Sequence, residues 1–174
     1  MGQKYESIYP PNHQPARSRY SPGIKNDMGD YYLIMISGHQ ARKNPETHAI
    51  DIIGLEEQFE SAFENFIATL EATGATSNDI IQITIALSDL NDLELAEIIR
   101  DKWILSDNYV CSIIEMTRGT RIGSKIEIEG IAALRKTVDA DITDALWLAS
   151  VTDEARKERR KMGGVHGKVL YKTK

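Results

Sequence analysis

Residues 55–74 read LEEQFESAFENFIATLEATG and residues 81–92 read IQITIALSDLND. In the first stretch, apolar side chains fall at Leu55, Phe59, Ala62, Phe63, Phe66, Ile67 and Leu70, the spacing of a helix buried along one face, and Gly74 closes it. In the second, Ile81, Ile83, Ile85 and Leu87 alternate with Gln82, Thr84, Ala86 and Ser88. This period of two predicts a strand with one face on the helix layer. Asp89-Leu90-Asn91-Asp92 then turns the chain. Asp92 is the expected N-cap of a second helix reaching about Leu105, with Leu95, Ile98, Ile99 and Trp103 inward.

Outward from this core the same logic finds further strands. Residues 31–37, Tyr-Tyr-Leu-Ile-Met-Ile-Ser, read as a strand largely buried on both faces that ends at Gly38. Asn44-Pro45-Glu46-Thr47 is turn chemistry, because Pro fixes φ while Asn and Thr bond the local backbone. Residues 109–117 and 125–134 are two more strand patterns, and the segment between them, 118–124, reads as a hairpin connection. Residues 1–19, with Pro10, Pro11 and Pro15 among polar neighbours, read as an irregular arm. After Lys136, Ile142, Ala145, Leu146 and Ala149 form a helical stripe that gives way to a basic tail. The organisation is thus an arm (1–19), an α+β domain with two helices on one side of the sheet (20–136), and a C-terminal helix with a basic tail (137–174).

The 174 residues fit one domain with tails, and 41% hydrophobic against 27% charged residues is an ordinary globular balance. Residues 152–174 hold eight Lys and Arg against three Asp and Glu, leaving 13 basic against 23 acidic before them. The expected role of the tail is to dock on the acidic body of its own or a neighbouring subunit, and nucleic acid is not the expected partner. No apolar run approaches the roughly 20 residues of a membrane helix, so no membrane partner is expected. The start lacks an apolar signal stretch and Cys111 is the single cysteine, which together suit a reducing cytoplasm.

Chemistry-bearing residues are few. In Lys125-Ile126-Glu127-Ile128-Glu129-Gly130 a strand places Glu127 and Glu129 on one face and the two isoleucines on the other. On an open face such a pair is simply solvated; covered by a second subunit, it gains general acid or base capacity near neutral pH. Cys111 on a strand reads as a small hydrophobe rather than a nucleophile. His13, His39, His48 and His166 show no metal-ligand spacing, and no metal is expected. In the 118–124 loop, Arg118 and Arg121 are suited to an anion, although the glycines there lack phosphate-loop spacing.

Taken in order, these segments resemble the RidA family, also called YjgF/YER057c/UK114. The resemblance is carried by Tyr20-Ser21-Pro22-Gly23, Ile36-Ser37-Gly38, Asn44-Pro45-Glu46-Thr47, Gln58, Glu64-Asn65, Leu70-Glu71-Ala72-Thr73-Gly74-Ala75, Asp79-Ile80-Ile81 with Thr84, Asp89-Leu90-Asn91-Asp92 and Lys125-Ile126-Glu127-Ile128-Glu129 followed by Ile131-Ala132. It implies a chorismate-mutase-like α+β protomer with a mixed sheet, a homotrimer, and small-molecule clefts between subunits. It also implies hydrolysis of 2-imino or 2-aminoacrylate intermediates to 2-keto acids and ammonia, with no metal or cofactor. Tyr20, Ser37, Gly38 and Asn91 would line the cleft, Glu127 would position or activate the water, and Glu129 would be its structural partner.

One departure bears on the chemistry. Ser112-Ile113-Ile114-Glu115 resembles the family's Ser-x-Val-Glu strand, which places Cys111 where deaminating members carry a carboxylate-clamping Arg. A thiol cannot supply two charge-assisted hydrogen bonds to a carboxylate. Arg118, Arg121 or Arg42 at the cleft rim are the candidates to replace it. Two functions follow from the sequence: a RidA-like deaminase or related small-metabolite hydrolase, or a non-catalytic trimeric module that binds a small molecule or a protein. The ribonuclease activity sometimes attributed to the family suits this acidic body poorly.

Overall fold

The structure is a computed structural model and describes residues 5–11 and 19–136. Strands β1 (Tyr5–Ile8), β2 (Gly23–Asp27), β3 (Tyr31–His39), β4 (Ile80–Leu87), β5 (Val110–Glu115) and β6 (Ile126–Arg135) form one sheet, with helices α1 (Leu55–Glu71) and α2 (Leu93–Trp103). The strand order is β1-β2-β3-β6-β4-β5. Neighbours are antiparallel except β4 and β5, which run parallel. A parallel pair requires a long crossover, and α2 lies in that connection. The result is the mixed α+β sheet with two helices that the sequence pattern led one to expect.

The α1 stripe forms as the periodicity dictates. Phe59, Ala62, Phe63, Phe66 and Leu70 are fully buried and pack with Ile34 of β3, Ile83, Ile85 and Leu87 of β4, and Ile126 and Ile128 of β6. Truncating one of these phenylalanines to Ala removes about 3–5 kcal/mol.

Several local expectations are corrected. The 5–8 segment, expected to be irregular, pairs with β2 as an edge strand, an arrangement decided by a distant partner rather than by local pattern. The 31–37 strand is buried on one face only, since Ile34 and Ile36 face the core while Met35 between them is 49% exposed. A register shift between Ile80 and Gln82 turns Ile80 into the core and leaves Ile81 outside. In α2, Ala96 and Ile99 are buried while Ile98 is exposed. Asp92 makes no side-chain cap; Asp89 accepts from the Asn91 backbone N–H at 2.9 Å and caps a short 3-10 turn instead. The 118–124 segment is no hairpin, because β4 separates the strands it joins. The expected helix after Lys136 and the basic tail lie outside the described residues.

Candidate functional site

β3 and β6 pair regularly from Tyr31↔Arg135 to Ile36↔Gly130, and then the register slips before His39↔Ile128. Three residues of β3 advance against two of β6, so β3 bulges at Ser37 and Gly38. The bulge brings the Gly38 backbone against the Glu127 carboxylate, where an added Cβ would collide with Glu127 Oε1. Glu127 sits on the helix-free face with Glu129, as the strand alternation requires; it is half-buried and Glu129 exposed.

Beyond the bulge, Gln40 is 8% exposed and its amide Nε2 donates to Glu127 Oε2 and, at 3.2 Å, to Thr120 Oγ1. α1 holds this residue in place, for Asn65 Nδ2 donates to the Gln40 carbonyl at 2.8 Å. α1 also fixes the 118–124 loop. The buried Gln58 donates to the carbonyls of Ile52 (3.2 Å) and Gly123 (3.1 Å) and accepts from the Lys125 N–H. Gly123 has φ of 84° and packs on the Ile50 carbonyl so closely that a side chain would be excluded. Ile50 N–H closes the contact by donating to the Ile122 carbonyl at 2.9 Å. The Asn44 side chain makes the expected turn, accepting from the N–H groups of Glu46 (2.8 Å) and Thr47 (3.1 Å).

These elements enclose a cavity of about 200 Å³, whose lining includes Tyr20, Ser37, Gly38, Gln40, Thr120 and Arg121. Arg42, Glu64 and Asn65 also line it. Ser37 Oγ donates to the Pro22 carbonyl at 3.1 Å, which leaves its lone pairs for a ligand. Arg42 Nη2 pairs with Glu64 Oε1 at 3.2 Å, so its charge is answered within the wall. Burial and the neighbouring Arg121 guanidinium both push the Lys43 ammonium below its ordinary value.

Of the residues expected from the sequence, Tyr20, Ser37 and Gly38 meet at this cavity, and Glu127 is joined to it through Gln40. Asn91, Cys111 and Arg118 are not among the lining residues. Cys111 pairs in register with the core residue Ile83, which puts its side chain on the helix side of the sheet. There it lies 4.0 Å from Arg100 Nη1 of α2. Burial raises its thiol above the ordinary value, with Arg100 opposing, so at neutral pH it is the thiol and not the nucleophilic thiolate. Gln40 was missed by sequence reading, since a single loop glutamine carries no periodicity; its placement beside Glu127 depends on the bulge and on Asn65. Among the described residues no group of three His, Cys, Asp or Glu side chains converges to hold a metal ion.

A family model described as Endoribonuclease L-PSP matches residues 11–134. A RutC family protein of Pyrococcus abyssi is 32% identical over 113 residues, covering 65% of this chain and 84% of that protein. A second, from Pyrococcus horikoshii, is 30% identical over 127 residues, covering 73% and 96%. Among solved structures, RidA from the Antarctic bacterium Psychrobacter sp. PAMC 21119 is 27% identical with a TM-score of 0.61, covering 74% of this chain and 99% of that one. E. coli TdcF, solved with bound serine, is 25% identical with a TM-score of 0.62, covering 75% and 99%.

Proposed function

The chain belongs to the RidA (YjgF/YER057c/UK114) family, and from that premise we propose that it hydrolyses a small imine or enamine in a cleft completed by a second subunit of a homotrimer. The observation that carries this reading is the contact of the Glu127 carboxylate with Gly38 and Gln40, two residues that line the cavity together with Tyr20 and Ser37. A carboxylate fixed there orients a water toward a C=N carbon. Glu127 takes a proton from that water as the C–O bond forms and passes it to the nitrogen, giving a carbinolamine. It then relays the proton of the new hydroxyl to the same nitrogen as the C–N bond breaks, so that ammonia leaves and a carbonyl remains. Tyr20 and Ser37 supply hydroxyls to the bound molecule, and Asn91 and Cys111 are assigned to the part of the cleft a second subunit contributes. The reaction needs no resident cofactor, and a soluble cytoplasmic setting suits such a task.

The test is ammonia release from freshly generated 2-iminopropionate. Glu127→Gln is expected to lower kcat about 100-fold or more, and Cys111→Arg to raise kcat/KM by adding a guanidinium to the cleft. An undiminished rate in Glu127→Gln removes this carboxylate from the reaction. A specific observation favours a second reading, a non-catalytic binding module: the Glu127 carboxylate already accepts from the Gln40 amide, which reduces what it offers a water. That reading predicts small-molecule binding in equilibrium dialysis with no ammonia release from the wild type or from Cys111→Arg.

A further inference from the structure

Two groups at the cavity have unmet demands. Arg121 is half-buried at its wall, and among the described residues no carboxylate pairs with its guanidinium. Its guanidinium is close enough to act on the ammonium of Lys43, another cation. Arg42, in the same wall, shows the contrast, because Glu64 answers it. A partly desolvated guanidinium next to a like charge is stabilised by an incoming anion, and its planar fork matches a carboxylate.

Gln40 makes the complementary demand. Because Glu127 and Thr120 take its N–H groups, the orientation of its amide is set, and Oε1 is left buried with no hydrogen-bond partner. An unpaired buried acceptor is costly, so a ligand N–H or O–H is favoured there. Both groups belong to one subunit, and the Gln58 bonds to Gly123 and Lys125 and the Asn65 bond to Gln40 hold their backbones fixed before any ligand arrives. At about 200 Å³ the cavity falls below the usual range of drug-sized sites, which suits a small metabolite rather than a nucleotide or peptide.

We propose that Arg121 is the carboxylate anchor of this pocket and Gln40 Oε1 the acceptor for a donor group on the same ligand, so that recognition is built within one subunit on the 118–124 loop. This assignment deepens the cleft reading above and rests on it for the location of the ligand, though not on turnover. Its probes are L-serine, which has both a carboxylate and N–H donors, L-serinamide, which lacks the carboxylate, and pyruvate, which lacks the donor. Binding is read by calorimetry on the full chain, alongside ammonia release from 2-iminopropionate.

L-serine is expected to bind at least tenfold more tightly than either of the other two. Arg121→Gln is expected to weaken serine binding tenfold or more and to raise KM for the imine more than it lowers kcat. Arg121→Lys should recover part of the affinity, and Arg135→Gln, exposed at the far end of β6, should stay within twofold of wild type. Circular dichroism melts verify that each variant is folded. Serine affinity and KM unchanged in Arg121→Gln would overturn the anchor even if the wild type is an active deaminase. Serine binding that depends on Arg121 without any turnover would uphold the anchor and remove the hydrolase reading alone. Absence of serine binding at millimolar concentration, or binding of serinamide as tight as serine, would overturn the proposal.

Discussion

Gly38 earns its place through what it leaves out. The Glu127 carboxylate lies where a side chain at position 38 would begin, so Gly38→Ala pushes Oε1 away and with it disturbs the bond that Oε2 accepts from Gln40. Because the displaced group is the flexible end of a side chain, the fold should lose only about 1 kcal/mol or less, whereas a displacement of this size at a reacting group costs about 100-fold in rate. Thermal melting close to wild type together with lost ammonia release is the expected pair of results; full activity would show that the carboxylate's position does not matter. Much of this was readable in advance. The period of two put Glu127 on the face opposite Ile126 and Ile128, and the ordered resemblance supplied Tyr20, Ser37 and Gly38. Gln40 was not readable, because a contact between residues 87 positions apart depends on a bulge that no local pattern announces.

At the scale of elements, α1 is tied to α2 by Glu60, which accepts from Trp103 Nε1 at 2.6 Å and Lys102 Nζ at 2.8 Å. Partial burial alone would raise the Glu60 carboxyl, but these two hydrogen bonds outweigh it and hold the carboxyl below its ordinary value. Such a group contributes stability that is present above the unfolded-state value, about 4.3, and is lost as pH falls through the lower folded-state value. Glu60→Gln is therefore expected to cost about 1 kcal/mol at pH 7 and much less at pH 3, read from urea unfolding at both. A cost unchanged by acid would assign the effect to packing. The helices and β4 were legible because their buried faces repeat along the chain. Ile81 and Ile98 misled because a register shift and a helix rotation exchange them with Ile80 and Ala96, neither of which changes the composition of the pattern.

For the molecule as a whole, the open face of the sheet is the telling surface. Register aligns Met35, Ile131, Gln82 and Val110 in one row, and Glu127, Ala86 and Ile114 in another. Met35 is 49% exposed, Val110 66% and Ile114 50%, more apolar surface than a lone protomer gains from presenting to water. In the proposed trimer this face is covered. Light scattering should report three times the 19.5 kDa chain, and Ile114→Lys should yield single chains with native circular dichroism. A wild type that runs as single chains would remove the intersubunit cleft. No described helix is long and apolar enough to cross a membrane. What covers this face was not legible from periodicity, which shows only that a face is apolar.

The central position of β6, bonded along both edges by β3 and β4, separates two kinds of permanence. Amide hydrogens of a strand so flanked exchange with solvent only when the whole sheet opens, so the acid it carries is bound to the last part of the protein to melt. Arg121 instead rides on a surface loop secured by a few side-chain bonds from α1, the part of a domain that most readily accepts replacement. Descendants of this scaffold are free to change what they recognise while the acidic residue and the sheet beneath it stay as they are.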